Sequence, residues 1–191
     1  MRRDKGPRLR IIGGQWRSRQ LPILDQPGLR PTPDRVRETL FNWLQHEIPG
    51  ARCLDLFAGS GALGLEAASR GAQDVVLVEQ SPAACHQLQQ NIVTLGGEST
   101  LRLVQADALD WLAGCDQGFD VVFLDPPYAA GLLPDVCTRL EGSACLADIA
   151  WIYLEQSADR PLPELPAHWS LQRSKKAGQV GYHLIRRETG N

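Results

Sequence analysis

Leu54-Asp55-Leu56-Phe57-Ala58-Gly59-Ser60-Gly61-Ala62-Leu63-Gly64 is the stretch that decides the fold. A strand-like apolar run breaks into a glycine-rich turn, and a helical pattern starts directly after it. Glycine tolerates positive φ and close backbone approach, so a ligand can lie against such a turn near a helix N-terminus. Residues 59–64 match G-x-G-x-x-G, which taken alone suits a nicotinamide enzyme equally well.

Outward from the turn, strand-like runs alternate with helical stretches. The runs are Arg52–Phe57, Asp74–Glu79, Leu101–Val104, Phe119–Leu124 and Ile149–Leu154, and helices are expected over Ala62–Arg70, Pro82–Leu95, Ala108–Leu112 and Leu132–Leu140. Val75–Val78 and Val121–Leu124 are unbroken apolar runs, as in parallel strands covered on both faces. Trp169–Arg173 and Tyr182–Arg186 read as two closing antiparallel strands around a basic loop. The expected architecture is α/β, an open, mostly parallel, seven-stranded sheet with helices on both faces and an antiparallel C-terminal strand. Before it, Arg8–Ile12 and Gln20–Leu24 form a small N-terminal β-hairpin, and a helix capped by Thr32 or Asp34 runs to about Glu47. The division is a basic arm, hairpin and helix over 1–48 and a catalytic domain over 49–191.

Three acids fall at strand ends. Asp55 lies four residues before Gly59, Glu79 ends the second strand of the sheet, and Asp107 follows the third. Together they line the crevice where open α/β sheets bind ligands. S-adenosylmethionine suits them: Asp55 faces its cationic amino group directly or through water, Glu79 accepts the ribose hydroxyls, and Asp107 accepts the adenine amine. Phe57, Gly59, Ser60, Gly61 and Ala108 complete this cofactor set.

Asp125-Pro126-Pro127-Tyr128 is the most specific motif, 64 residues beyond Gly61. The prolines fix the backbone after a buried strand, so the Asp125 carboxylate and the Pro126 carbonyl point in set directions. A base amine is a poor nucleophile because its lone pair is delocalised. Two acceptors, one for each N–H, let the nitrogen pyramidalise, while Tyr128 stacks on the base.

The formal net charge of −2 hides a segregation. Residues 1–40 hold ten basic against four acidic residues, and the remaining 151 hold ten against eighteen. A basic arm on an acidic body points to a polyanionic partner met from one side. Arg10, Arg17 and Arg19 on the hairpin, Arg30, Arg35 and Arg37 near the next helix, and Lys175 and Lys176 are the candidate RNA contacts. Trp16 is read as the anchor of the hairpin, with stacking on RNA as the alternative. Five widely spaced cysteines without a CxxC pair are read as buried, reduced thiols, with no disulfide and no metal site. No secretory signal or membrane-spanning run is seen, so a cytoplasmic location is expected.

The glycine-rich turn followed by DPPY resembles the class I S-adenosylmethionine-dependent amino methyltransferases. Arg10-Ile-Ile-Gly-Gly-Gln-Trp-Arg-Ser-Arg-Gln-Leu21 and Leu29-Arg-Pro-Thr-Pro-Asp-Arg-Val-Arg-Glu-Thr-Leu-Phe-Asn-Trp-Leu44 narrow the likeness to the RsmD family, and the match runs on through Lys176-Ala-Gly-Gln-Val180. The resemblance implies a Rossmann-like class I fold and transfer of a methyl group to N2 of one guanine in 16S ribosomal RNA, within an assembled or assembling 30S subunit. It places Asp125, Pro126 and Tyr128 at the reaction site and Asp55, Gly59, Gly61, Glu79 and Asp107 at the cofactor. The family usually has Thr-Thr where this chain has Thr32-Pro33, a change that stiffens the loop.

DPPY serves either base amine, so an adenine-N6 enzyme acting on DNA is the nearest alternative. A protein-glutamine methyltransferase usually carries Asn at the position of Asp125. A nicotinamide-dependent oxidoreductase leaves Tyr128 and the arm without a role, and a non-catalytic RNA-binding protein leaves the pocket acids without one.

Overall fold

The continuous apolar strands pair where their patterning requires, beside one another and covered on both sides. The computed structural model describes residues 6–24, 32–127 and 131–190. Strands β1 (Arg8–Arg10) and β2 (Gln20–Pro22) form an antiparallel hairpin in register Leu9↔Leu21, followed by helix α1 (Asp34–Trp43). There follow β3 (Arg52–Asp55), α2 (Ala62–Ser69), β4 (Asp74–Glu79), α3 (Pro82–Leu95), β5 (Leu101–Gln105), α4 (Ala108–Ala113), β6 (Phe119–Leu124) and α5 (Leu133–Glu141). The chain closes with β7 (Leu146–Ser157), β8 (Trp169–Ala177) and β9 (Val180–Glu188).

The large sheet has the order β5-β4-β3-β6-β7-β9-β8. The first five strands in that order are parallel, and β9 lies antiparallel between β7 and β8. The order reverses between β3 and β6, which pair as Asp55↔Phe123. One apolar cluster joins the hairpin, α1, α2 and α3 to one face of the sheet; a second joins α4 and α5 to the other.

The hairpin is held chiefly by burial. Leu9, Ile11, Trp16 and Leu21 are all buried in the first cluster. Each such side chain contributes ~1.5–3 kcal/mol, against ~0–1 kcal/mol for an exposed ion pair such as Arg10–Asp34 at 3.1 Å. Trp16 is therefore the anchor expected of it, packed against Gly97. Gly14, at φ +76°, lies so near α2 that an added Cβ would stand 1.8 Å from the Ser69 carbonyl.

Four expectations are corrected. Neither Thr32 nor Asp34 caps α1: Pro33 occupies the N-cap without a side-chain bond, and Asp34 is the first helical residue. The basic loop before Gly181 is mostly strand, since β8 runs to Ala177 and β9 begins at Val180. Lysines and serines carry no apolar alternation there, so pairing with β9 was invisible. Strand β7 extends past Leu154 through Glu155 and Gln156, both buried. Finally, Cys115 and Cys145 form a disulfide with Cα atoms 5.7 Å apart, leaving Cys53, Cys85 and Cys137 free and buried. A separation of 30 residues gave no local signal. The bond follows from tertiary geometry, because the Phe119 N–H donates to the Cys145 carbonyl and draws the two chain segments together.

Candidate functional site

The carboxyl ends of five adjacent parallel strands each carry an acid. Asp107 stands two residues past β5, and Glu79 and Asp55 end β4 and β3. Asp125 directly follows β6, and Glu155 follows Leu154, the register partner of Leu124. These ends surround the point where the strand order reverses, the ligand crevice of an open α/β sheet.

The glycine-rich turn is tied to two of these acids. The buried Asp55 carboxyl accepts the Gly64 N–H at 2.9 Å. Glu79 accepts the Gly59 N–H at 2.8 Å through one oxygen and the Ser81 N–H at 2.7 Å through the other. Gly64 is required by close approach, since a Cβ there would lie 2.1 Å from Leu77 Cδ2 and 3.2 Å from Asp55 Oδ2. Asp107 caps α4, and its Oδ1 accepts the Leu109 and Asp110 N–H groups at 2.8 and 3.2 Å. Phe57, Gly59 and Ser60 are half-buried on the turn, Gly61 caps α2 at φ +78°, and Ala108 is the buried first residue of α4. Burial pushes Asp55 up to about 7; the Gly64 N–H opposes the rise and the Glu79 charge adds to it. The turn from Asp55 to Gly64 contains no lysine or arginine. These carboxyl acceptors favour a cationic, hydroxyl-bearing ligand.

Asp125 belongs to a buried cluster that the motif alone did not reveal. The Thr32 hydroxyl lies 3.4 Å from Asp125 Oδ2 and 3.3 Å from Glu155 Oε2, and the Tyr153 hydroxyl donates to that same Glu155 oxygen at 2.7 Å. Thr32, Tyr153 and Glu155 are all buried, and the Arg37 Nε–H fixes the Thr32 carbonyl at 3.2 Å. Burial first, then the charges of Glu155 and Asp55, push Asp125 well above the usual carboxylate range, and the Thr32 hydroxyl opposes them. Glu155 interrupts an apolar strand with an acid, the one sequence signal that could have marked it. Pro126 is buried beside the cluster. Tyr128 lies outside the described residues.

Pro126, Pro127, Leu132, Glu155, Gln156 and Arg160 help to enclose a cavity of about 280 Å³ next to this cluster. Gln156 holds its far wall by donating to the Arg160 and Pro161 carbonyls at 3.2 Å each.

The basic residues divide. Arg10, Arg17, Arg19 and Arg35 are exposed. Arg10 pairs with Asp34, and Arg19 reaches the Thr94 carbonyl at 3.5 Å. Arg37 is not on the surface, which corrects its assignment as an RNA contact. It is 1% exposed, donates to the Arg10 carbonyl and Asp34 at 2.9 and 2.6 Å, and stands 3.6 Å from buried Glu66. Its periodicity on α1 places it toward α2, and the Glu66 carboxylate accounts for its burial. Lys175 and Lys176 are exposed on the edge strand β8. Lys175 sits 5.8 Å over the Trp43 ring of α1, so Lys176, next along the strand, points to the opposite face. Arg30 lies outside the described residues.

The sheet order, the glycine turn at its switch point and the acid-lined strand ends define a Rossmann-like class I methyltransferase fold. The chain is similar to yhhF of Escherichia coli, whose solved structure superposes with a TM-score of 0.89 at 49% identity, covering 96% of this chain and 100% of that one. It is 53% identical over 180 residues to the Escherichia coli K12 Ribosomal RNA small subunit methyltransferase D, covering 94% of this chain and 90% of the relative. The protein of that name from Haemophilus influenzae is 44% identical, covering 92% of each. Residues 9–186 match the family described as Conserved hypothetical protein 95, and the chain belongs to this family, that of RsmD.

Proposed function

We propose that this protein transfers a methyl group from S-adenosylmethionine to the exocyclic N2 of one guanine in 16S ribosomal RNA. The observation that carries the reading is the placement of Asp125 at the end of β6, beside the turn-bearing end of β3. The names of its relatives, methyltransferases of small-subunit ribosomal RNA, supply the substrate class.

S-adenosylmethionine supplies a sulfonium methyl, displaced in line by the nitrogen lone pair as the carbon–sulfur pair leaves with sulfur. Asp55 would hold its ammonium, Glu79 its ribose hydroxyls and Asp107 its adenine amine, with Phe57, Gly59, Ser60, Gly61 and Ala108 forming the walls. Asp125 and the Pro126 carbonyl would each accept one N–H of the guanine amine, and Tyr128 would stack on the base for ~1–3 kcal/mol. The main catalytic contribution is alignment, which in well-oriented reactants supplies ~7–11 kcal/mol.

Residues 1–48 would serve as the RNA-facing extension of the catalytic domain over 49–191. Arg10, Arg17, Arg19, Arg30 and Arg35, with Lys175 and Lys176, would contact phosphates of an assembled or assembling 30S subunit in the cytoplasm. The nicotinamide reading is disfavoured because it accounts for Gly59–Gly64 and Glu79 but leaves Tyr128 and the basic arm without a role.

The test is nucleoside mass spectrometry of ribosomal RNA from cells lacking this protein. One N2-methylguanosine should be missing from the small-subunit RNA. Unchanged ribosomal RNA together with lost N6-methyladenine in DNA would overturn the substrate assignment.

A further inference from the structure

The proposed reaction leaves a proton to be removed. Once the amine nitrogen has taken the methyl, it carries a positive charge and must lose one N–H proton to become the neutral product. Asp125 is the acceptor within reach, half-buried at the end of β6, and a proton left on it would remove the charge with which it takes up the proton of the next amine.

Thr32 and Glu155 supply what Asp125 lacks. The Thr32 hydroxyl stands between the two carboxyls, 3.4 Å from Asp125 Oδ2 and 3.3 Å from Glu155 Oε2. A hydroxyl has one proton and can donate to one of these oxygens; it bonds the other only by accepting a proton from it. The arrangement is complete when the two carboxyls share one proton, which also relieves the repulsion between adjacent anions. Glu155 lines the cavity beside Pro126, so the far end of the chain meets a space large enough for water. The Tyr153 hydroxyl, donating to Glu155 Oε2 at 2.7 Å, holds that carboxyl in place.

We propose that Thr32 and Glu155 form the proton exit of the reaction, carrying the amine proton from Asp125 to the cavity beside Pro126. In the ligand-free site Asp125 holds the shared proton beside ionised Glu155; as the amine docks, that proton shifts through the Thr32 hydroxyl to Glu155, leaving Asp125 an anion that accepts the amine N–H. Methyl transfer moves the nitrogen lone pair into the new N–C bond, and the N–H proton then passes to Asp125. Glu155 releases its proton to water in the cavity, Asp125 protonates the Thr32 oxygen, and the Thr32 hydroxyl proton moves to Glu155. Asp125 is again an anion, and one proton has left the amine for solvent. Thr32 and Glu155 act through Asp125 and are positioning residues for it. Among the described residues, the groups that act on Asp125 are Asp55 from β3, Glu155 from β7 and the Thr32 hydroxyl; Tyr153 of β7 holds Glu155, and Arg37 of α1 holds the Thr32 carbonyl.

The proposal rests on the methyltransferase reading, and the experiment separates the two. Wild type, Thr32→Val, Thr32→Ser and Glu155→Gln are compared in single-turnover methyl transfer to ribosomal RNA, with cofactor and RNA affinities measured on each. Thr32→Val and Glu155→Gln should slow transfer about a hundredfold, within the range for a lost proton-transfer partner, at unchanged affinities. Thr32→Ser, which keeps the hydroxyl, should restore the rate to within about threefold of wild type on the same scale. In carboxyl-carbon NMR of the ligand-free protein, Glu155→Gln should lower the Asp125 titration midpoint and Thr32→Val should raise it. Equal rates for Thr32→Val and wild type, equal loss in Thr32→Val and Thr32→Ser, or an Asp125 midpoint indifferent to Glu155→Gln would each overturn the relay. A wild type that transfers no methyl would overturn the reading beneath it, while the NMR result still decides whether the carboxyls are coupled.

Discussion

Replacing Glu66 should detach the N-terminal arm from the body of the protein. Glu66 is fully buried on α2, and its carboxylate accepts the Ile12 and Gly13 N–H groups at 2.8 Å each and the Arg70 Nε–H at 2.7 Å. It also faces the Arg37 guanidinium, whose Nη1 has no hydrogen-bond partner among the described residues. Glu66→Ala therefore leaves two backbone donors without their acceptor and takes from the buried Arg37 one of its two carboxylates, Asp34 being the other. Breaking one side of a buried ion pair costs ~3–5 kcal/mol. In a chain of this size, each kcal/mol lowers the midpoint by about 2–4 °C, giving a fall of roughly 6–20 °C. The apolar anchors Leu9, Trp16 and Leu21 persist, so the loss should be local at lower temperature. Differential scanning fluorimetry reads the midpoint, and hydrogen exchange should show residues 8–24 exchanging faster than β3–β6. A midpoint within about 2 °C of wild type, less than the shift for a single lost kcal/mol, would refute the view that this carboxylate clamps the arm.

Cofactor binding should depend on pH through Asp55. Its pKa in the folded protein is raised to about 7, so below that value the carboxyl is protonated and must ionise to pair with an ammonium. Affinity measured by calorimetry should fall up to about tenfold per pH unit below 7 and level off above it. The same shift makes ionisation of Asp55 oppose folding, so its contribution to stability is fully present below the unfolded pKa and is lost as pH rises through about 7; Asp55→Asn should flatten both profiles. Changing Arg17 and Arg19 to Gln should weaken RNA binding and reduce its salt slope by about two while cofactor affinity holds; unchanged RNA affinity would remove the hairpin from the interface. Under denaturing, non-reducing conditions thiol labelling should find three reactive cysteines, rising to five after reduction. Five before reduction would contradict the Cys115–Cys145 bond.

Periodicity carried most of the architecture. Apolar strands such as β4 and β6 and the helix α3 have the residue ranges their patterns dictate. Where polar residues pair in strands, as in β8 and the end of β7, local pattern fails because cross-strand partners far along the chain decide the outcome. The site divides the same way. Asp55, Glu79 and Asp125 were legible because strand ends and motifs mark them, and the sheet brings these ends together. Thr32 and Glu155 were not, since they meet Asp125 across 93 and 30 residues of sequence. The burial of Arg37 was hidden too, because a basic residue on a helix buries only when a distant carboxylate such as Glu66 meets it.

The most direct test of the proposed chemistry uses the purified protein with isotopically labelled methyl donor and small-subunit particles from cells that lack it. Nucleoside analysis should find the label in a single N2-methylguanosine of the ribosomal RNA. Asp125→Ala should bind the donor as wild type does yet transfer almost none of the label. Label in N6-methyladenine or in protein, or near-normal transfer by Asp125→Ala, would contradict a guanine-N2 reaction centred on the strand end of β6.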